Sequence, residues 1–502
     1  MDIKNDIPQE ENKDKAETEE VLISGEKEDN ETFNDNIAFK YLKELSSHME
    51  LENEDGEVKS SFQFIEEVDH NSVLANYLNK KAAEKEEDHN FKIIPFGFNL
   101  SQKEAVQTAF DNKISIIEGS SVSSSTDAIL NIVLNAVIND KTVAIISESD
   151  FFALKFVEIL NKVDMDFIID NIIDNESDYS KDKIEQWLSL KRSQFEKRNL
   201  HKERGELKDI QNTLREMLEN EDKLSLMQME KANLLNEISI PDNGKKITLP
   251  ASILLQSADK IMLLLEEYTM LIKKDKYIKF LNKIRFLFKY GISEFGFYNN
   301  KFENVKKLLI NRYNQLKISE LDVEIESLKN KLDRYIIEDE IIYHKENSLS
   351  ILKGILYERY SKKTDAEILE NEEGNNLEDT IKKNKAVITS INSFKKSMNG
   401  WKLFDYVIID EAEKIDIFSG ALILACARNI VLMSDPNQVF DGPYDKTNNV
   451  WNEIYKEYSP DESYDYLNNS LLSSITKIFP DTPKTVLVKK YRGSRNPVNL
   501  YN

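Results

Sequence analysis

The stretch ISIIEGSSVSSST, residues 114–126, has an apolar run, a small-residue loop and a helix-compatible sequel. That is the setting of a phosphate-binding loop of the form G-x-x-x-x-G-K-[ST]. Gly119 stands at the first glycine and Thr126 at the final hydroxyl, whereas Ser124 takes the second glycine and Ser125 the lysine. Such loops turn backbone N–H groups and a helix N-terminus toward the anion, and the lysine neutralises charge between phosphates. No Lys or Arg lies between Lys113 and Lys141, and Ser124 adds a Cβ where glycine lets backbone approach phosphate. The frame of a weak anion site remains. FDYVIIDEAE, residues 404–413, ends an apolar run in Asp410 and Glu411. A carboxylate there can hold Mg²⁺, and a following Glu can orient and deprotonate water; the plainer reading is an acidic strand end facing solvent. IVLMSDPNQVF, residues 430–440, delivers Asp435 and Gln438 in the same way. In FNLSQKEAV, residues 98–106, Ser101 as N-cap and Glu104 three residues on predict a capping box. In KKYRGSRNPV, residues 489–498, Arg492 either reaches a phosphate or marks a surface turn.

The elements that must position these groups read as α/β. Short apolar runs at 114–118, 142–147, 386–391, 405–409, 429–433 and 485–488 alternate with helical stretches. Runs apolar throughout suit parallel strands buried on both faces, so the alternation predicts a doubly wound parallel sheet with helices on both faces. Such sheets bind ligands at the carboxyl ends of their strands, where Gly119, Asp410 and Gln438 fall. The composition divides the chain into an acidic tail expected to be disordered (1–35), a helical lead-in (36–90), a first part of the sheet domain (91–175), an inserted helical region (176–382) and the second part of the sheet domain (383–502). In the insertion, Leu207, Ile210, Leu214 and Met217, then Leu321, Ile325, Leu328, Leu332 and Ile336, recur at helical spacing and predict two arms of a stalk or coiled coil.

A formal charge of -23 over 502 residues predicts a surface that as a whole repels nucleic acid and acidic membranes. Against that background, residues 273–317 hold twelve Lys and Arg, including Lys279, Lys283, Arg285 and Lys289, and three carboxylates. Aromatic residues interleave from Tyr277 to Tyr298. The pattern reads either as a groove for single-stranded DNA or RNA, or as a solvated face over an aromatic core. Cys426 is the single cysteine, which excludes an intrachain disulfide and a cysteine-rich zinc site and suits a reducing, cytoplasmic home. The N-terminal residues lack the apolar stretch of a signal peptide and no run of about 18 apolar residues occurs, so no membrane partner is expected.

Taken in order, FNLSQKEAV, the altered loop, VAIISES, VIIDEAE, MSDPNQ and YRGSRNP resemble the first motor domain of superfamily 1 helicases, in the branch of the nonsense-mediated-decay helicase and its bacterial AAA-domain relatives. The resemblance covers residues 94–175 and 384–502, about two-fifths of the chain, and the helical insertion falls where that branch carries its stalk and accessory domain. It implies a RecA-like fold with ATP and Mg²⁺ as cofactors. It also implies that Gln102 reads the adenine edge, that Gly119, Ser124 and Ser125 line the phosphates, and that Thr126 and Asp410 hold the metal. Glu411 then matches the catalytic base, Gln438 the γ-phosphate sensor and Arg492 a phosphate contact. The departures are Ser125 for the lysine, Ser120-Ser121 for a Pro-Pro pair, Glu148 to Phe152 for small polar residues that contact nucleic acid, and Ser434 for glycine. The family continues beyond the position of Asn502 into a second motor domain, so a complete ATP cleft is expected only with that domain supplied in trans. These departures imply a degenerate helicase-like protein with weak or absent ATP binding and hydrolysis, acting through nucleic acid or a protein partner. Two alternatives stay open: a working helicase or ATPase subunit completed in trans, and a coiled-coil interaction scaffold.

Overall fold

The computed structural model describes residues 33, 35–48, 68–82, 88, 90–119, 121–147, 149–171, 181–238, 248–362, 385–396, 403–443 and 449–488. They fall into two compact units: one runs to Gln211 and resumes at Ile342, and the other is Asn212–Ile341. The tail expected over 1–35 lies outside the described residues but for Phe33 and Asp35.

The first unit is built on strands β1 (Ile114–Glu118), β2 (Val143–Ile146), β3 (Ile169–Asn171), β4 (Ala386–Thr389), β5 (Phe404–Ile409), β6 (Ala427–Ser434) and β7 (Lys484–Val486). They form one sheet in the order β3-β4-β2-β5-β6-β1-β7, with every pairing parallel. Its helices are α1 (Ile37–Ser47), α2 (Val73–Asn79), α3 (Leu100–Asp111), α4 (Val122–Ile138), α5 (Asp150–Lys162), α6 (Lys181–Phe195) and the start of α7 (Leu200–Glu237). The second unit holds α8 (Ala258–Asp275), α9 (Phe280–Tyr290) and α10 (Phe302–Leu332). Helix α11 (Ile337–Lys362) brings the chain back to the first unit, where α12 (Ile391–Lys396), α13 (Ile417–Ala425), α14 (Val450–Tyr458) and α15 (Leu471–Ile478) complete it.

The apolar runs are strands because both of their faces are buried. Ile116, Ala144, Ile146, Val407, Ile409, Ile430 and Leu432 enter one core with the lead-in helices α1 and α2 and with α13. Their strand neighbours Ile117, Val143, Ile145, Ile408, Val431 and Met433 enter the other, with α3, α4 and α5. A side-chain period of two, with a helical layer on each side, leaves no polar face to the sheet. Tyr77 of the lead-in is fully buried, and its hydroxyl lies 2.6 Å from the Ser474 hydroxyl of α15. Among the described residues no helix is long and apolar enough to cross a membrane.

Helix α4 is buried almost throughout, yet two of its buried positions are asparagines. The Asn131 amide accepts from Phe96 N–H (3.1 Å) and donates to the Phe96 carbonyl (2.8 Å). The Asn135 amide does the same with Ile93, at 2.9 and 2.6 Å. One helical turn apart, the two amides stand in for the strand neighbour that the 93–96 backbone lacks and pair the N–H and carbonyl of both Ile93 and Phe96.

In the second unit an aromatic-rich core gathers Tyr268, Phe286, Tyr290, Phe297 and Tyr298 with Ile261, Leu264 and Leu309. A smaller seam joins Met227 of α7 to Leu321, Ile325 and Leu328 of α10. The stripe expected to run on through Leu332 and Ile336 stops at Leu328: α10 ends at Leu332, and Ile336 is exposed beyond it.

Candidate functional site

The sheet order sets β6 between β1 and β5, with β2 on the far side of β5. Register pairs Glu118 with Ser434 and Ile409 with both Leu432 and Ile146. The residues leaving β1, β6, β5 and β2 therefore share the carboxyl edge. There the structure brings Asp410, Glu411 and Gln438 together, and Gln102 meets the start of α4.

On the β1 side, only Gly119 to Ser121 separate strand from helix, and α4 begins at Val122. Residues 122–126, which the motif assigns largely to a loop, are helical. No glycine or proline interrupts VSSST, so the helix propagates upstream to Ser121. The Ser125 N–H donates to the Ser121 carbonyl at 3.1 Å, the Ser124 hydroxyl to the same carbonyl at 3.1 Å, and the Thr126 hydroxyl to the Val122 carbonyl at 2.6 Å. Thr126 is 1% exposed. The Gly119 N–H donates to the Ser434 carbonyl at 2.9 Å and continues the β1–β6 ladder. A Cβ on Gly119 would lie 2.7 Å from the Ser125 hydroxyl, so the group at the lysine position is folded over the first glycine.

Gln102 is 1% exposed and donates through its side-chain amide to the Ser124 carbonyl at 2.7 Å. Its Oε1 is buried without a hydrogen-bond partner among the described residues. The N-cap of α3 is Asn99, not Ser101: the Asn99 carboxamide oxygen accepts from Gln102 N–H at 2.8 Å and from the Ser101 hydroxyl at 2.8 Å. Ser101 is drawn away from capping because its hydroxyl also accepts from Val488 N–H beyond β7, at 3.0 Å.

On the β5 side, Asp410 accepts from the Ser147 hydroxyl at 3.2 Å. Burial, and then repulsion from Glu411, push its carboxyl up to about 6. Glu411 sits in the left-handed region (φ 53°), and its Oε1 accepts from Lys414 at 2.7 Å and from the Gln438 amide at 3.2 Å. Two residues escaped the sequence reading. Glu413 is 5% exposed, accepts from Asp435 N–H at 3.4 Å, and has its carboxyl raised chiefly by burial. Its Oε2, like Gln438 Oε1 and the Ser434 hydroxyl, is buried without a partner among the described residues. The third acid of DEAE was the available signal for Glu413, and the polar residue directly after VAII was the signal for Ser147.

ATP and Mg²⁺ fit these groups poorly. The amide at the lysine position and the hydroxyl at the metal position are bonded inside α4, Gln102 is turned onto the Ser124 backbone, and Lys414 is paired with Glu411. Lys484, beside β1, is paired with Glu118. Among the described residues no group of three or more His, Cys, Asp or Glu is arranged to hold a metal ion. Arg492, Ser120 and Glu148 lie outside the described residues.

The basic residues singled out by sequence are in the second unit. Lys279 pairs with Asp275 at 2.7 Å, Arg285 with Glu267 at 3.4 Å, and Lys289 with the same Glu267. Lys283 lies 5.5 Å from the centroid of the Tyr298 ring. Of the interleaved aromatics, Phe286, Tyr290, Phe297 and Tyr298 are core, whereas Tyr277, Phe280 and Phe288 are exposed. No protein-family model matches the chain, and no curated protein matches it.

Proposed function

We propose that this chain is a RecA-like scaffold related to superfamily 1 helicases, that it holds ATP and Mg²⁺ weakly or not at all, and that it works by binding a partner rather than by turnover. The observation that carries this reading is the use of the loop's own groups: Ser125 N–H and the Ser124 and Thr126 hydroxyls bond within or to the start of α4, and Gln102 donates to Ser124. A phosphate there would have to break these bonds with no lysine in the loop to compensate. The parallel sheet, with the Gln438 strand between the strands leading to Gly119 and Asp410, supports the RecA-like part. Titration calorimetry with ATP and Mg²⁺ tests the proposal, with no heat of binding in the micromolar range as the expected result. Micromolar affinity, about -8 kcal/mol, would overturn it, as would steady hydrolysis by the unmodified chain.

A second reading, a working ATPase completed by a motor domain in trans, is favoured by the Asp410, Glu411 and Gln438 cluster. Hydrolysis appearing only on addition of a separate motor domain would support it.

A further inference from the structure

Helix α9 has two apolar faces, and one of them is largely uncovered: Ile284 and Leu287 are half-buried and Phe280 meets the edge of Phe295 (ring centroids 6.2 Å apart), whereas Leu281 and Phe288 stand in solvent. Phe286 and Tyr290 enter the core around Tyr268. Phe280, Leu281, Ile284, Leu287 and Phe288 recur at three- and four-residue spacing on the side turned away from it. Phe288 is 84% exposed, Leu281 78% and Phe280 65%, and Tyr277, just ahead of the helix, is 64% exposed. Scattered apolar side chains are ordinary on a protein surface, whereas a contiguous stripe marks a contact surface. Exposed cations border it: Lys273, Lys274 and Lys276 at the end of α8, then Lys279, Arg285 and Lys289.

We propose that this face of α9 seats on the surface of an anionic lipid bilayer. Phe280, Leu281 and Phe288 enter the boundary between headgroups and acyl chains, and the lysines meet the anionic headgroups. Two observations favour a bilayer over a nucleic acid, although Tyr277, Phe280 and Phe288 are aromatic. Lys279, Arg285 and Lys289 are each tied to Asp275 or Glu267. Their residual charge biases the face toward anionic headgroups but falls short of a phosphate track. Finally, Phe288 and Leu281 project from the surface rather than line a hollow, so the occupant must yield to them, as a fluid lipid surface does. Peripheral seating needs no membrane-crossing helix. Because the whole chain carries -23, binding requires this face to lead and weakens as salt rises. The inference is independent of the nucleotide reading, and neither fails with the other.

Flotation of the full chain with vesicles tests it. The protein is expected to rise with vesicles of phosphatidylserine and phosphatidylcholine in equal parts, and to stay behind with phosphatidylcholine alone. Leu281→Glu with Phe288→Glu should cut the bound fraction at least about tenfold while the circular dichroism spectrum is kept. Should that double variant misfold, Phe288→Trp decides: brominated lipid is expected to quench its added fluorescence. The proposal is overturned by failure of the unmodified chain to float, by flotation that the double variant leaves unchanged, or by added fluorescence in Phe288→Trp that brominated lipid leaves unquenched. It is also overturned if the double variant loses binding to a single-stranded oligonucleotide, or dissociates a dimer, while the unmodified chain ignores anionic vesicles.

Discussion

The two sides of the sheet's carboxyl edge treat most of their polar groups differently, although Gln102 Oε1 on the β1 side is also buried without a partner among the described residues. After β1, the hydroxyls of Ser124 and Thr126 bond to carbonyls three or four residues back, and the Gln102 amide caps one more. After β5 and β6, Glu413 Oε2, Gln438 Oε1 and the Ser434 hydroxyl are buried without partners among the described residues, and Asp410 is held far above an ordinary carboxylate. The difference is chemical. Within a helix a Ser or Thr hydroxyl can donate to a carbonyl one turn back, so Ser124 and Thr126 are absorbed where they stand, an option that Ser434 at the end of a strand lacks. A carboxylate only accepts, and the hydrogen bonds that reach Asp410 and Glu413 do not offset their burial, so both carboxyls stay raised. The serine-rich loop has thus closed over itself while the acidic side retains the chemistry of a site.

The strongest way to break the closed side is Gly119→Ala. The new Cβ meets the Ser125 hydroxyl and, at 3.2 Å, Leu487, and is expected to cost about 2–3 kcal/mol in urea unfolding. Adding Ser125→Ala should recover part of that loss, and strictly additive losses would show that Ser125 does not fill the hollow. The acidic side should respond to Asp410→Asn. A carboxyl raised to about 6 in the fold opposes folding where it is charged in both states, and this opposition fades as pH falls through 6 toward the ordinary 3.8. The variant is therefore expected to be more stable by about 1–2 kcal/mol near pH 8 and equal near pH 4. A variant less stable at the higher pH would remove the contrast between the sides.

Ser124→Gly with Ser125→Lys is expected to raise ATP affinity about tenfold, with little turnover. No gain would mean that α4 keeps its upstream turn even with glycine in place. The smallest effect belongs to Thr126→Val, whose lost hydroxyl bonds, among the described residues, to its own helix. Stability should change by less than about 0.5 kcal/mol, and a loss of several times that would show the hydroxyl serving another group.

Much of the sheet was legible because burial on both faces leaves uninterrupted apolar runs. Each of the six strand-like runs overlaps a strand, and only the three-residue edge strand β3 went unread. Asp410, Glu411 and Gln438 were readable as a group because each follows an apolar strand. The helical start at Val122 was within reach too, since replacing the second glycine by Ser124 removes the residue that would halt the helix. The fate of Gln102 was not, because it depends on where the Ser124 carbonyl lies in space. Burial within the basic island was partly hidden for a similar reason: α9 is apolar on two sides, and the sequence does not say which side meets Tyr268.

Asn131 and Asn135 give α4 teeth. A one-residue winding of the helix would swing each amide by about 100° and a slide would lift both from Ile93 and Phe96, so either motion breaks four hydrogen bonds together. The helix that starts at the serine loop is in effect keyed to the backbone just upstream of α3. Anything that shifts its first turn must move residues 93–96 with it, and through them the turn that aims Gln102.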